Sequence, residues 1–358
     1  MSETAKPKLM DRSVFPAKIR MPNIVGYTGE VLKTKVNPNW KEAEAGSYAW
    51  FDSYGIHSGR KRQAYFDSGL GLMGALAFAD ADLEHLRPAM DFVLWLFAFD
   101  DLTDVEKLGD VDETKLMADD IMKVLRNPDT ARPEFKIAAV LHSWLDRMRV
   151  DSSAATTQRL VDAVNLYTEA TFQQTLNRSA DSLPTIDEYI QLRRDTSAVK
   201  IMYPVIEYTL GLSLPEEVHS DPNMAEILLA GNDLLTWAND VYSFPVEQAR
   251  GDTHNLVFIA MCNEQLDLEG ALEYVDKLLR KRLQQYVDAK AQLRSFGPEL
   301  DTQIKQYVQG IEYGVQGSIS WTFMTPRYFG YDAEIVKETH IADLREPAPQ
   351  NKSITVEA

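Results

Sequence analysis

Cysteine is nearly absent. One residue, Cys262, in a chain of 358 leaves no internal disulfide to hold the fold, and such sparing use suits a reducing compartment. Long apolar runs are missing too. The longest, Phe92 to Phe99, falls far short of the ~20 residues a bilayer span needs, so no stable membrane insertion is expected. The opening MSETAKPKLM is polar and has no secretory apolar core, which points to a cytoplasmic protein. Glycine-rich phosphate loops, internal repeats and Cys/His metal clusters are not found, and the six histidines are scattered. Positive charge is scarce: 37 Lys and Arg against 54 Asp and Glu give a formal net charge of −17. Nucleic acid, whose phosphates need an electropositive face, is thereby excluded as a partner. A phosphorylated small substrate could bind only where metal cations or clustered arginines invert the field locally.

What is present is a core-forming, helical pattern. Hydrophobic residues make up 45% of the chain, enough for a large interior. Apolar residues recur at three- and four-residue steps over 132–150 and 271–296, and strand signals are scarce. Thr185 and Glu188, following Pro184, spell a capping box for a helix running toward Lys200. Residues 1 to about 38 read as irregular. The expected organisation is all-α: an irregular segment at 1–20, one helical domain at 21–340 and a polar, mobile tail at 341–358.

Two constellations carry chemistry. The run Phe92 to Phe99 leads directly into Asp100-Asp101-Leu102-Thr103-Asp104. On a helix, Val93, Leu96, Phe97, Asp100 and Asp104 share a face that is apolar below and acidic at its C-terminal end. Carboxylates there oppose the helix dipole and repel one another, so the cluster calls for a cation. By itself the pattern also fits a solvated acidic helix end. The second constellation places Asn239, Ser243 and Glu247 at i, i+4 and i+8, after the apolar run Ile227 to Trp237. An amide oxygen, a hydroxyl and a carboxylate in a row are hard ligands appropriate for Mg²⁺. Taken alone they equally form an ordinary polar stripe. Pro245 predicts a bend, with Glu247 reaching from a displaced turn.

Together these motifs resemble the class I terpene synthases. Asp100-Asp101-Leu102-Thr103-Asp104 is similar to their aspartate-rich motif, and Asn239, Ser243 and Glu247 to their NSE motif. The stretches Glu247 to Asn255 and Pro326-Arg327-Tyr328-Phe329-Gly330 resemble basidiomycete sesquiterpene synthases, and the likeness covers roughly residues 20 to 335. It implies a single-domain helical bundle around an apolar cavity. It also implies a carbon–oxygen lyase that ionises farnesyl diphosphate and cyclises the resulting cation. Three Mg²⁺ ions are implied, with Mn²⁺ as a substitute, held by Asp100, Asp104, Asn239, Ser243 and Glu247.

By the same resemblance Arg193, Arg327 and Tyr328 bind diphosphate, and Thr196 and Ser197 take the linker and effector positions. Phe97 and Trp321 are the aromatic candidates for facing the cation, while Phe92, Trp95 and Phe99 are expected in the core. Asp101, Asp240, Arg194 and Lys200 are candidates for the surrounding layer. Many members carry a lysine just before the NSE glutamate. Here that position is Val246, so the diphosphate contact is either missing or supplied elsewhere, with Lys200 and Arg194 as the candidates. The alternatives are a substrate of ten or twenty carbons, a chain elongase, which would carry two aspartate-rich motifs, and a non-catalytic helical binding protein. The family further implies a monomer or weak homodimer.

Overall fold

The computed structural model describes residues 15–102, 111–127, 133–179 and 183–344. In chain order the helices are α1 (Ile24–Val31), α2 (Trp40–Asp52), α3 (Gly59–Asp67), α4 (Leu70–Ala77), α5 (Leu83–Asp101) and α6 (Val111–Arg126). Next come α7 (Lys136–Asp151), α8 (Ala154–Ser179), α9 (Ile186–Thr196), α10 (Val199–Thr209) and α11 (Glu216–His219). The last are α12 (Pro222–Arg250), α13 (Leu256–Glu264), α14 (Leu268–Gln292), α15 (Pro298–Trp321) and α16 (Ala333–Thr339). Two three-residue strands, β1 (Lys18–Arg20) and β2 (Ile341–Asp343), pair antiparallel with Ile19 opposite Ala342.

Local chemistry sets the boundaries of the helices that matter most. The Asp82 side chain caps α5 by accepting from the His85 amide. Asp221 accepts from the amides of Asn223 and Met224 to start α12, Pro222 fills the first turn, and Gly251 at φ 87° ends it. The expected capping box opens α9, with Thr185 and Glu188 each satisfying the other's backbone amide. Along α12, Ile227, Ala230, Leu234, Ala238 and Val241 are wholly buried at helical spacing. That helix packs against α9, α10, α13, α14 and α15.

Three details differ from the sequence reading. Helical backbone continues through Pro245 to Arg250, so Glu247 follows Ser243 by one turn of a continuous helix. Pro245 is itself buried, and packing of this largely buried helix outweighs the ~3 kcal/mol that an internal proline typically costs. Conversely, the helix expected to run from Thr185 toward Lys200 breaks after Thr196. Ala198 there adopts the left-handed conformation, φ 57°, which neither α9 nor α10 can incorporate. Finally, the ends are less irregular than expected. α1 lies within the first 38 residues, and β2 occupies part of the segment assigned to a tail, where it gains β1 as a partner.

α15 lies close against α4 at Gly317. A Cβ there would sit 2.8 Å from Leu76 Cβ and 3.0 Å from the Leu76 backbone carbonyl. Gly317→Ala is therefore expected to cost about 1–3 kcal/mol through overpacking, seen as a melting temperature several degrees lower. An unchanged melting temperature would contradict this close approach.

Candidate active site

A cavity of about 1300 Å³ opens among α3, α4, α5, α8, α9, α12 and α15. From α5 it is lined by Phe97, Asp100 and Asp101, and from α12 by Asn239, Ser243 and Glu247. Arg193, Thr196 and Ser197 face it from the α9 end, Trp321 from the end of α15, and Arg327 and Tyr328 from the chain after it. The two acidic motifs thus face one space. Asp104 lies outside the described residues.

A chain of hydrogen bonds joins these side chains. Arg193 Nη2 donates to Asn239 Oδ1 at 2.9 Å, and Asn239 Nδ2 donates to the Tyr328 hydroxyl at 3.0 Å. Arg193 Nε donates to Asp240 Oδ1 at 3.0 Å. Asp240 is almost fully buried and also accepts from the Tyr189 hydroxyl (2.7 Å) and the Leu256 amide (3.0 Å). Burial works against the Arg193 charge, but Asp240, Tyr189 and Glu247 outweigh it and hold the guanidinium pKa above its ordinary value. On the opposite wall Arg327 Nη2 lies 3.3 Å from Asp101 Oδ1, with its guanidinium over the Phe97 ring at 4.7 Å.

Ser243 and Glu247 are arranged differently. The Ser243 hydroxyl is buried with no partner at hydrogen-bond geometry, although it lies near enough to Glu247 to ease that carboxylate's charge. Such orphaned groups are rare in folded interiors and call for an explanation. Glu247 accepts from Asn255 Nδ2 at 2.9 Å. Even so, desolvation first, then the charges of Asp252 and Asp240, push its pKa up to about 8. An unmatched hydroxyl, an amide oxygen and a carboxylate short of positive charge form an oxygen-only donor set, which fits a hard divalent cation.

The aromatic side chains divide between the core and the cavity wall. Phe92, Trp95 and Phe99 are buried, and Trp95 stacks with Phe99 and Trp144. Phe97 and Trp321 meet instead at the cavity wall, ring centres 5.7 Å apart. Trp321 is fixed by its Nε1 donating to the Gly69 carbonyl at 2.8 Å.

Arg194 and Lys200 do not reach the cavity. Arg194 makes a two-pronged contact with buried Asp233, both distances 2.8 Å, and Lys200 pairs with Asp195 at 2.5 Å. Neither replaces the lysine lacking at Val246. Arg250, one turn further along α12, is a cation that lines the cavity, as does Lys61. Its i+4 relation to Val246 was available in the sequence. Asn255 was the other unassigned participant: beyond Glu247, it donates to the Asp240 carbonyl at 2.6 Å and closes the corner between α12 and α13.

A family model described as terpene synthase family 2, C-terminal metal binding, matches residues 91–285. Sesquiterpene synthase Agr1 of Cyclocybe aegerita is 34% identical over 91% of this chain and 93% of its own length. The chain belongs to the terpene synthase family. Sesquiterpene synthase 3 of Postia placenta is 35% identical to this terpene synthase, again over 91% of the chain and 93% of its own length. Among solved structures, the linalool/nerolidol synthase of Streptomyces clavuligerus, in complex with 2-fluorogeranyl diphosphate, shares the fold. It has a TM-score of 0.73 at 18% identity, covering 82% of this chain and 97% of that one. No helix among the described residues is long and apolar enough to cross a membrane.

The raised Glu247 pKa has a signed consequence for this terpene synthase. The folded chain holds that proton more tightly than the unfolded one, so stability falls as pH rises from the ordinary carboxylate range toward about 8. Without divalent metal, Glu247→Gln is expected to melt above the wild type at pH 8 and to show a flatter pH profile between 5 and 8, by ~1–2 °C per kcal/mol recovered. Added Mg²⁺ should stabilise the wild type and not the variant. A metal-free variant less stable than wild type at pH 8 would contradict this electrostatic account.

Proposed function

We propose that this terpene synthase is a sesquiterpene synthase, a carbon–oxygen lyase that ionises farnesyl diphosphate and closes its chain into rings. The carrying observation is the shared rim of the cavity. There Asn239 links Arg193 to Tyr328, with Ser243 and Glu247 following on α12 and Asp100 on the other wall. Resemblance over nine-tenths of the chain to proteins named sesquiterpene synthases supports the fifteen-carbon substrate.

Asn239, Ser243 and Glu247 would hold Mg²⁺ on one side and Asp100 on the other. Three bound ions would supply the charge that neutralises the leaving diphosphate. Arg193, Arg327 and Tyr328 donate hydrogen bonds to that anion, and charge-assisted bonds of this kind are about twice as strong as neutral ones. Donors fixed beforehand by Asp240 and Asn239 need little reorganisation as charge develops. Below the rim, Phe97 and Trp321 offer ring faces to the allylic cation, each contributing roughly 0.5–2 kcal/mol without reacting. Water must be kept from that cation, because its attack ends the cascade in a simple alcohol.

Incubation with farnesyl, geranyl and geranylgeranyl diphosphates in Mg²⁺, followed by gas chromatography and mass spectrometry, tests the reading. Cyclic fifteen-carbon products support it, and no diphosphate release from any of the three refutes it. Asn239→Ala and Glu247→Ala are each expected to lower product formation by about 100-fold or more while circular dichroism stays nearly unchanged; full turnover by Glu247→Ala would remove the metal role. Phe97→Leu should alter the product mixture more than the Mg²⁺ dependence, and an unchanged mixture would reduce Phe97 to a packing role.

A further inference from the structure

The Asn232 side chain ties the break between α9 and α10 to α12. Asn232 Nδ2 donates to the Arg194 carbonyl at 2.8 Å, and the Ser197 hydroxyl donates to Asn232 Oδ1 at 3.0 Å. The Arg194 carbonyl is among the last four of α9, which have no partner within their own helix. Asn232 is 1% exposed, so both its contacts are made away from water. The next residue, Asp233, receives the Arg194 guanidinium and also Arg282 Nε at 2.8 Å.

Position makes this more than a helix cap. Thr196 and Ser197, the residues being gripped, line the cavity, and Arg193 just before them reaches Asn239 and Asp240. Asn232 and Asn239 sit two turns apart on one helix, about 10 Å along its axis. Between them Thr236 lines the cavity and donates to the Asn232 carbonyl at 2.8 Å. The segment also contains Ala198 in its left-handed conformation, which a residue with a Cβ adopts only when its surroundings impose it.

We propose that Asn232 is a positioning residue for ionisation: by gripping the α9–α10 break it sets where Arg193 and the Thr196–Ser197 backbone meet the diphosphate. Anion binding at the rim is thereby coupled to the ligand row on α12. This rests on the diphosphate reading of the cavity, and the test separates the two.

The full chain is compared with Asn232→Ala, with Asn232→Asp, which keeps the acceptor for Ser197 but loses the donor to Arg194, and with Ser197→Ala. Thr168→Val, a buried hydroxyl lost from α8, is the control. Hydrogen exchange of amides 197–201 is followed with and without Mg²⁺ and inorganic pyrophosphate. Pyrophosphate should slow exchange in the wild type. Asn232→Ala should exchange about tenfold faster and lose most of that response.

In turnover of farnesyl diphosphate, measured well below the melting point, Asn232→Ala should lower kcat about tenfold with KM nearly unchanged and raise the share of acyclic alcohol. Ser197→Ala and Asn232→Asp should fall between, and the Ser197→Ala and Asn232→Ala effects should be less than additive. If Asn232→Ala does not fold, the other two variants decide. An Asn232→Ala enzyme that melts lower, yet matches Thr168→Val in kcat, products and pyrophosphate response, would overturn the proposal. A wild type that responds to pyrophosphate but consumes no farnesyl diphosphate would sink the substrate assignment while supporting the coupling.

Discussion

Arg193 joins the two helices whose ends form the polar rim. Its guanidinium bridges Asp240 and Asn239, and both of those residues belong to α12. Removing that charge would leave Asp240 buried with only Tyr189 and backbone donors, a costly state for a carboxylate. It would also release the Asn239 amide, whose other end holds Tyr328. The same arginine therefore stabilises the α9–α12 contact and presents donors to the cavity. In a protein carrying a net charge of −17, that economy is significant. The cavity-lining arginines 193 and 327 each stand beside a carboxylate, so their positive charge is kept at the rim by the acid around them.

Much of the fold and of the site could be read from sequence because the responsible patterns are local. The i, i+4, i+8 row on α12 and the apolar face below Asp100 follow from helix periodicity alone. The Thr185 capping box depends on residues three apart, and it forms as written. What escaped was decided by contacts between distant segments. Pro245 is tolerated because the helix around it is buried. The break at Ala198 is held by Asn232, which is 35 or more residues away in sequence from both groups it grips. Arg194 lost its expected role to Asp233, whose burial made a partner obligatory.

Glu247 and Ser243 show how a site can be assembled at a cost to the chain that carries it. A hydroxyl without a partner and a carboxylate driven toward its neutral form are both unfavourable in isolation. Natural sequences tolerate such conflicts chiefly where function depends on them. Here they occur on the same face, one turn apart, on the wall of the cavity.

The small β1–β2 ribbon also bears on the rim. Arg327 and Tyr328 lie on the stretch of chain between α15 and β2, anchored before them by Trp321 to Gly69 and after them by the strand pairing of Ile341 to Arg20. A span tethered at both ends has limited slack. Its arginine and tyrosine are thereby kept near the cavity wall, Arg327 beside Asp101 and Tyr328 against the Asn239 amide. The two strands therefore act as a distant clasp, keeping two cavity-lining side chains close to home.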